Sequence, residues 1–214
     1  MTAKISMPGW TGPSTEGMLP DIRQDRAIQT RAHILRAAAH VFAEKGFKSS
    51  SVLDVAHQVG MTKGAIYFHF PTKEILAVAV VEEHYSRWPQ LLERILEDDL
   101  SPLETAIAML DGAAEAFAND IVVQAGARLQ LESSVIDADL PQPYVGWMHL
   151  LTQLLDAALA EGQLRDDVDP AAVARALVGG FFGVQHVSAV LTGRSDLQER
   201  WAELRDLIVA RIQA

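Results

Sequence analysis

Apolar residues along the chain recur at intervals of three and four, and no stretch alternates apolar with polar positions long enough to line one face of a sheet. The pattern predicts an all-α fold of about nine helices. Ile34, Ala38, Val41 and Phe42 fall on one side of a helix predicted over Arg26–Lys45. Gly46 stops that helix in a left-handed conformation, and Phe47 folds back onto its last turn. Ser51, with Asp54 three residues later, forms a capping box that opens a short helix over Val52–Val59. Gly60-Met61-Thr62 is a tight turn in which Thr62 caps a third helix, Lys63 to about Phe68. Helix, short turn containing glycine, helix is the outline of a helix-turn-helix unit.

Longer segments follow, with clear punctuation. A fourth helix is expected from about Thr72 to Glu97, bent near Pro89, which lacks a backbone donor. Ser101-Pro102-Leu103-Glu104 combines an N-cap, proline at the first helical position and an acid in the first turn. The next helix covers about Ile121 to Ser133, and a proline-marked loop from Val135 to Pro143 leads to one that ends before Gly162. Asp169-Pro170 opens a helix running to about Leu191 and stopped by Gly193, and Ser195 or Asp196 starts the last. Three regions result: a flexible tail over 1–20 rich in glycine and proline, a three-helix region over 21–73, and a larger helical region over 74–214.

Composition removes whole classes of function. With 49% hydrophobic and 21% charged residues the chain is not disordered. Its strictly apolar runs, such as 77–81, are too short for a membrane span, and the tail lacks the apolar core of an export signal, which points to the cytoplasm. There is no cysteine, hence no disulfide, thiolate metal site or cysteine nucleophile. Nucleophile-elbow, zincin and phosphate-loop motifs are missing, and Glu83-His84 and His149 stand isolated, so neither an enzyme, a cofactor nor a metal is expected.

The net charge of -10 disfavours nucleic acid until its distribution is considered. Residues 21–73 hold eight Lys or Arg against four Asp or Glu, whereas residues 74–214 hold nine against 23. A short basic segment that can approach a polyanion is joined to a large acidic one that is repelled by it. Within the basic segment, Val55, Ala56 and Val59 face Ile66 and Phe70. The outer face of the third helix is then Lys63, Gly64, Tyr67 and Phe68, with His69 and Lys73 just beyond. A short helix with donors on its leading turn and small residues for close approach suits the major groove of DNA. A tyrosine hydroxyl and a helix-start lysine suit phosphate oxygens.

From Thr30 through Ile34, Ala38, Phe42, Gly46 and Phe47 to Tyr67-Phe68-His69-Phe70 and Lys73-Glu74-Ile75-Leu76, the chain resembles the TetR family of bacterial transcriptional repressors. The resemblance implies that Lys63, Gly64 and Ala65 approach base edges, and that Thr62, Tyr67, His69 and Lys73 contact phosphate. Ser50 or Ser51 adds a hydroxyl or amide contact, while His57 is either a solvated surface residue or a further phosphate contact. The implied partner is double-stranded operator DNA, with no membrane association.

Ala125-Gly126-Ala127-Arg128-Leu129-Gln130-Leu131, Leu140-Pro141-Gln142-Pro143-Tyr144 and Trp147 further resemble the γ-butyrolactone and furan-carboxylic-acid autoregulator receptors. That resemblance implies a small hydrophobic signalling ligand with a polar head and control of antibiotic biosynthesis. Tyr85, Gln130 and Tyr144 are the expected polar ligand contacts, Trp147 a flat wall, and Met109, Phe117, Leu129, Leu131, Leu151 and Phe181 the apolar lining. Arg128 is expected to pair with Glu132 rather than with a ligand. Gly179, Gly180 and Gly183, with Phe182, Val187, Val190, Trp201, Leu204 and Ile208, are expected to build a homodimer seam, which implies a near-palindromic operator. A regulator of efflux or lipid metabolism sensing a drug or acyl compound is the alternative within the family, and an enzyme using the helical pocket the alternative outside it.

Overall fold

The computed structural model describes residues 22–214, with side chains from Arg26 onward. The tail expected over 1–20 lies outside the described residues. Among these, ten α-helices and one short 3-10 turn form, and no strand. They are α1 (Ile22–Ser49, two helical pieces that meet at a kink at Gly46), α2 (Val52–Val59), α3 (Lys63–His69), α4 (Lys73–Tyr85) and α5 (Arg87–Ile95). Then come α6 (Pro102–Asn119), α7 (Ile121–Leu131), the 3-10 turn (Ser133–Val135), α8 (Val145–Ala160), α9 (Pro170–Thr192) and α10 (Leu197–Ile212).

The local signals act as read. Ser51 accepts a hydrogen bond from the Asp54 amide while Asp54 accepts from the Ser51 amide, closing the capping box of α2. Thr62 and Thr72 cap α3 and α4, each hydroxyl accepting one amide, that of Ala65 and of Ile75. One expected helix is two. The break between α4 and α5 falls at Ser86, three residues ahead of Pro89. A proline ring collides with the carbonyl four residues earlier, here that of Tyr85. Pro89 thus stands in the first turn of α5, where a missing N–H costs no ladder bond.

Two compact units divide the chain. One contains α1 to α4 with α7 and the chain to Pro141; the other contains α5, α6 and α8 to α10. The functional division expected at residue 73 does not coincide with this one, because α4 and α7 both pack on α1.

In the first unit, Ile34, Ala38, Val41 and Phe42 are buried as their spacing requires, joined by Val55, Ala56, Ile66 and Phe70. Phe47 lies back against Phe42, ring centroids 6.1 Å apart. The turn this needs is made at Gly46, where φ is 75°. The same position admits a close approach: a Cβ there would overlap Glu132 Oε1 and stand 2.8 Å from Arg128 Nη2. Gly126 does the equivalent for α4 and α7, since a Cβ there would overlap His84 Cβ.

The second unit is built on aromatic rings. Trp88 stacks on Phe117 at 6.2 Å and meets Trp147 edge-on at 5.3 Å, while Phe181 bridges Phe117 and Trp201 at 5.7 and 5.3 Å. Trp201, expected on the dimer seam, is instead 2% exposed, its Nε1 donating to Asp111 Oδ1 at 2.6 Å. Asp111 also receives Arg205 Nη1, a reason for the indole to face inward that no local pattern carries. Leu204, expected on the same seam, lies against Gly180 of its own chain, where a Cβ would stand 2.7 Å from Leu204 Cδ2. Gly179 and Gly183 have open space above them and continue into exposed Val187, Val190 and Leu191, so α9 keeps an uncovered apolar face. The expectation that no segment could cross a membrane needs correcting for α9, which is long and apolar enough by length and composition. Ala174, Leu177, Val178 and Phe181 on its other face are buried within the unit.

Gly46→Ala should destabilise the protein by roughly 1–3 kcal/mol through positive φ alone, with the overlap at Glu132 adding to it. A urea unfolding midpoint equal to wild type would contradict the close approach.

Candidate DNA-reading face and ligand site

Ile66 is buried against α2 and Phe70 behind α3, which turns the opposite side of α3 to solvent. Lys63 and Gly64 are exposed there, Tyr67 is 39% exposed and Phe68 84%. The Lys63 ammonium lies 5.5 Å from the Tyr67 ring centroid, so the two are presented together. Thr62 is exposed while its Oγ accepts from the Ala65 amide, and Ala65 and His69 are half-buried. Phe68 meets the His69 ring edge-on at 5.2 Å. Phe68, on the outer face and without an expected contact, is the most exposed aromatic of the helix. No acidic residue interrupts α3.

Neighbouring cations are spent inside the unit. Lys45 pairs with Asp54 at 2.8 Å, and that contact, with the Ser51 hydrogen bonds, holds the Asp54 carboxyl down at about 2. Lys73, expected at phosphate, is half-buried, with Nζ donating to Phe47 O at 2.9 Å and Ser50 O at 3.1 Å and standing 4.0 Å over the Phe47 ring. Ser50, also expected there, is buried, its Oγ donating to Phe47 O at 2.8 Å. Ser51 is exposed but engaged in its cap. Arg31 was not singled out by sequence; its guanidinium sits 4.6 Å over the Phe70 ring, at the end of α3.

Of the expected ligand contacts, Tyr85 and Gln130 come together in the first unit. Both are buried, and Gln130 Nε2 donates to Tyr85 Oη at 2.9 Å and to Pro141 O at 3.0 Å. Tyr144 and Trp147 belong to the second unit and to one aromatic cluster, Tyr144 against Phe182 at 4.6 Å and Trp147 against Trp88. Tyr144 holds φ at 69°, uncommon for a residue with a side chain and costing of order 1–3 kcal/mol. Leu131, expected in the apolar lining, is 60% exposed. A surface cleft of about 520 Å³ in the second unit is lined by Leu91, Gly112, Asp111, Glu115, Trp201 and Arg205, and by none of the four expected residues.

Next to Tyr85, His84 is buried with Nδ1 3.1 Å from Val123 O, and burial pushes its imidazole down to about 4. The Arg128–Glu132 pair forms at 2.9 Å as the i, i+4 spacing predicts.

Residues 34–80 match the family of bacterial regulatory proteins, tetR family, and residues 100–213 the tetracyclin repressor-like C-terminal domain. The chain belongs to the tetR family and is a TetR-type DNA-binding regulator. It is 31% identical to the A-factor receptor protein of Streptomyces griseus over 85% of its own length, and spans 63% of that longer relative. A solved structure described as the molecular basis for control of antibiotic production by bacterial hormones is 58% identical, with a TM-score of 0.82, covering 87% of this chain and 99% of that one. A γ-butyrolactone receptor (ArpA-like protein) is 29% identical at TM-score 0.75, covering 88% and 91%. CprB from Streptomyces coelicolor, in complex with its operator sequence, is 30% identical at TM-score 0.79, covering 88% and 90%.

The displaced His84 value has a thermodynamic consequence. Unfolded histidine titrates near 6.5; between that pH and about 4 the unfolded state binds the extra proton. Stability is therefore complete above about pH 6.5 and falls as pH drops, by up to about 1.4 kcal/mol per pH unit. Urea titrations at several pH values should show that slope in wild type and its loss in His84→Gln.

Proposed function

We propose that the protein is a homodimeric repressor that acts in the cytoplasm and leaves a near-palindromic operator when it binds a small diffusible signalling molecule. The signal is of the butyrolactone or furan carboxylic acid type, and the regulated process is antibiotic biosynthesis. One observation carries the DNA-binding half: an acid-free helix, α3, that presents Lys63, Gly64 and Tyr67 on one exposed face of a chain with net charge -10. Lys63 reads base edges, with Gly64 and Ala65 allowing the backbone near. Tyr67, Thr62 and His69 hold phosphate, and Phe68 offers an apolar face to sugar or a thymine methyl. Lys73 and Ser50 hold the frame of this head, and Ser51 offers its exposed end to the backbone.

The ligand half rests on the 58% identical structure and on the A-factor receptor relative. Tyr85, Gln130 and Tyr144 are the polar contacts, and Trp147 belongs to the apolar wall. The uncovered face of α9, from Gly179 to Leu191, supports dimer formation. A symmetric dimer carries two copies of the reading helix, which suits a near-palindromic operator.

A mobility-shift assay on DNA upstream of its own gene, with and without culture-medium extract of the host, tests the reading as a whole. Lys63→Ala should weaken binding and flatten the preference among operator variants, at about 1–3 kcal/mol for the lost base contact. Tyr67→Phe should weaken matched and mismatched sites alike. Relative affinities untouched by Lys63→Ala would remove Lys63 from base reading. Substitution of Tyr85, Gln130 or Tyr144 should leave operator affinity near wild type while abolishing release. If all three still release DNA at wild-type signal concentrations, the ligand site lies elsewhere.

A further inference from the structure

The turn from Gly46 to Ser51 joins α1 to the reading pair α2 and α3, and it is held from two sides within the first unit. On one side stands α7. Arg128 Nη1 donates to Ala43 O at 2.8 Å and Glu44 O at 3.0 Å, carbonyls in the last turn before Gly46 that the helix ladder cannot fill. Arg128 Nε donates to Glu132 Oε1 at 2.9 Å, and Glu132 Oε2 accepts the Phe47 amide at 2.6 Å. On the other side stands α4, whose first residue, Lys73, donates to Phe47 O and Ser50 O. Every one of these bonds has a charged partner, which makes it short and stiff.

The same helix α7 meets α4 again, one turn away, through Gly126 against His84, and it carries the Gln130 amide that donates to Tyr85. A displacement of α7 against α4 therefore cannot be taken up by slack in the turn. Its carbonyls, its amide and the glycine surface facing Arg128 and Glu132 are all engaged, and Ser51, the next residue, is already the cap of α2. The displacement is passed to α2 and α3.

We infer that Arg128 and Glu132 are positioning residues that set the pose of the reading helices from α7, by clamping the end of α1 and the Phe47 amide. The inference deepens the repressor reading and rests on it. Neither residue touches DNA under that reading, so its effect is on the pose of the head and not on phosphate contact.

The full-length chain, titrated onto DNA from upstream of its own gene over a range of salt, tests it. Glu132→Ala should lower operator affinity about tenfold with the salt slope unchanged, since no phosphate contact is lost. Glu132→Gln should recover part of the lost affinity, because its amide oxygen still accepts the Phe47 N–H while its NH2 cannot accept from Arg128 Nε. Gly126→Ala wedges α7 from α4: it should weaken binding about tenfold in wild type and add little in Glu132→Ala, where the clamp is already open. Wild-type affinity in Glu132→Ala, a reduced salt slope, failure of Glu132→Gln to recover binding, or additive effects of the two substitutions would each overturn the inference. If Gly126→Ala does not fold by circular dichroism, the contrast between the two Glu132 variants decides. Absence of binding by the wild type itself would strike at the repressor reading, and this inference would fall with it.

Discussion

The Phe47 amide is the point on which the first unit turns. It follows a helix that ends at a glycine with φ of 75°, where the ladder of α1 gives out and buried backbone groups need partners from elsewhere. Glu132, which lies 85 residues on, supplies the acceptor, and Arg128 and Lys73 cover the carbonyls on either side. A buried backbone group left unpaired costs about 1–3 kcal/mol, so α7 and α4, by pairing these part-buried groups, add to the stability of the stretch that leads into α2. This explains why the head does not close on itself at Lys73. It borrows its last hydrogen bonds from helices that belong, by sequence order, to the regulatory part.

The charge distribution gives the same head its direction. A chain at -10 would be driven from DNA if it met the duplex with an average face. The basic surplus is confined to the first 73 residues, and part of even that is already engaged: Lys45 is paired with Asp54 and Lys73 is turned toward carbonyls. What remains outward on α3 is Lys63 with Tyr67 and Phe68, on a helix that itself carries no carboxylate. On the proposed reading, the acidic remainder orients the approach, and the strength of binding rests on a few contacts that salt can screen.

Local signals in the sequence translated into structure almost without loss. The capping box at Ser51 and Asp54, the cap at Thr62, proline at the start of α6 and α9, the glycine that kinks α1 and the one beyond α9 act within four residues, and each sits where the sequence places it. What failed was non-local. Trp201 looks like a seam residue because its own helix repeats apolar positions, but Asp111, 90 residues earlier, draws its indole N–H inward. Gly180 reads as a dimer contact until Leu204 of the same chain is found above it. Gln130 between two leucines announced that it needed a partner, and nothing in its neighbourhood named Tyr85. The Arg128–Glu132 pair was legible from spacing, whereas its grip on the end of α1 was not, because three-dimensional proximity to Gly46 has no sequence period. The break at Ser86 lay within reach, since the clash of a proline ring acts four residues upstream and not at the proline itself.

The pairing of Tyr85 with Gln130 limits what the proposed signal can be. The side-chain amide nitrogen of Gln130 carries two hydrogens, and both find acceptors, one in the phenol oxygen and one in the Pro141 carbonyl. A ligand that enters between these groups has to replace what it displaces. A purely apolar molecule would strand an amide donor in a buried site, at about 1–3 kcal/mol for the unsatisfied group. A lactone or furan carboxylate brings oxygen acceptors that can take the Gln130 donor in exchange, and its alkyl part can join an apolar wall without further polar loss. The exchange disturbs α7 at the residue midway between Arg128 and Glu132. If Tyr85 and Gln130 line the site proposed above, hydrogen-bond replacement rather than size favours a signalling molecule with a polar head over a featureless hydrophobic drug.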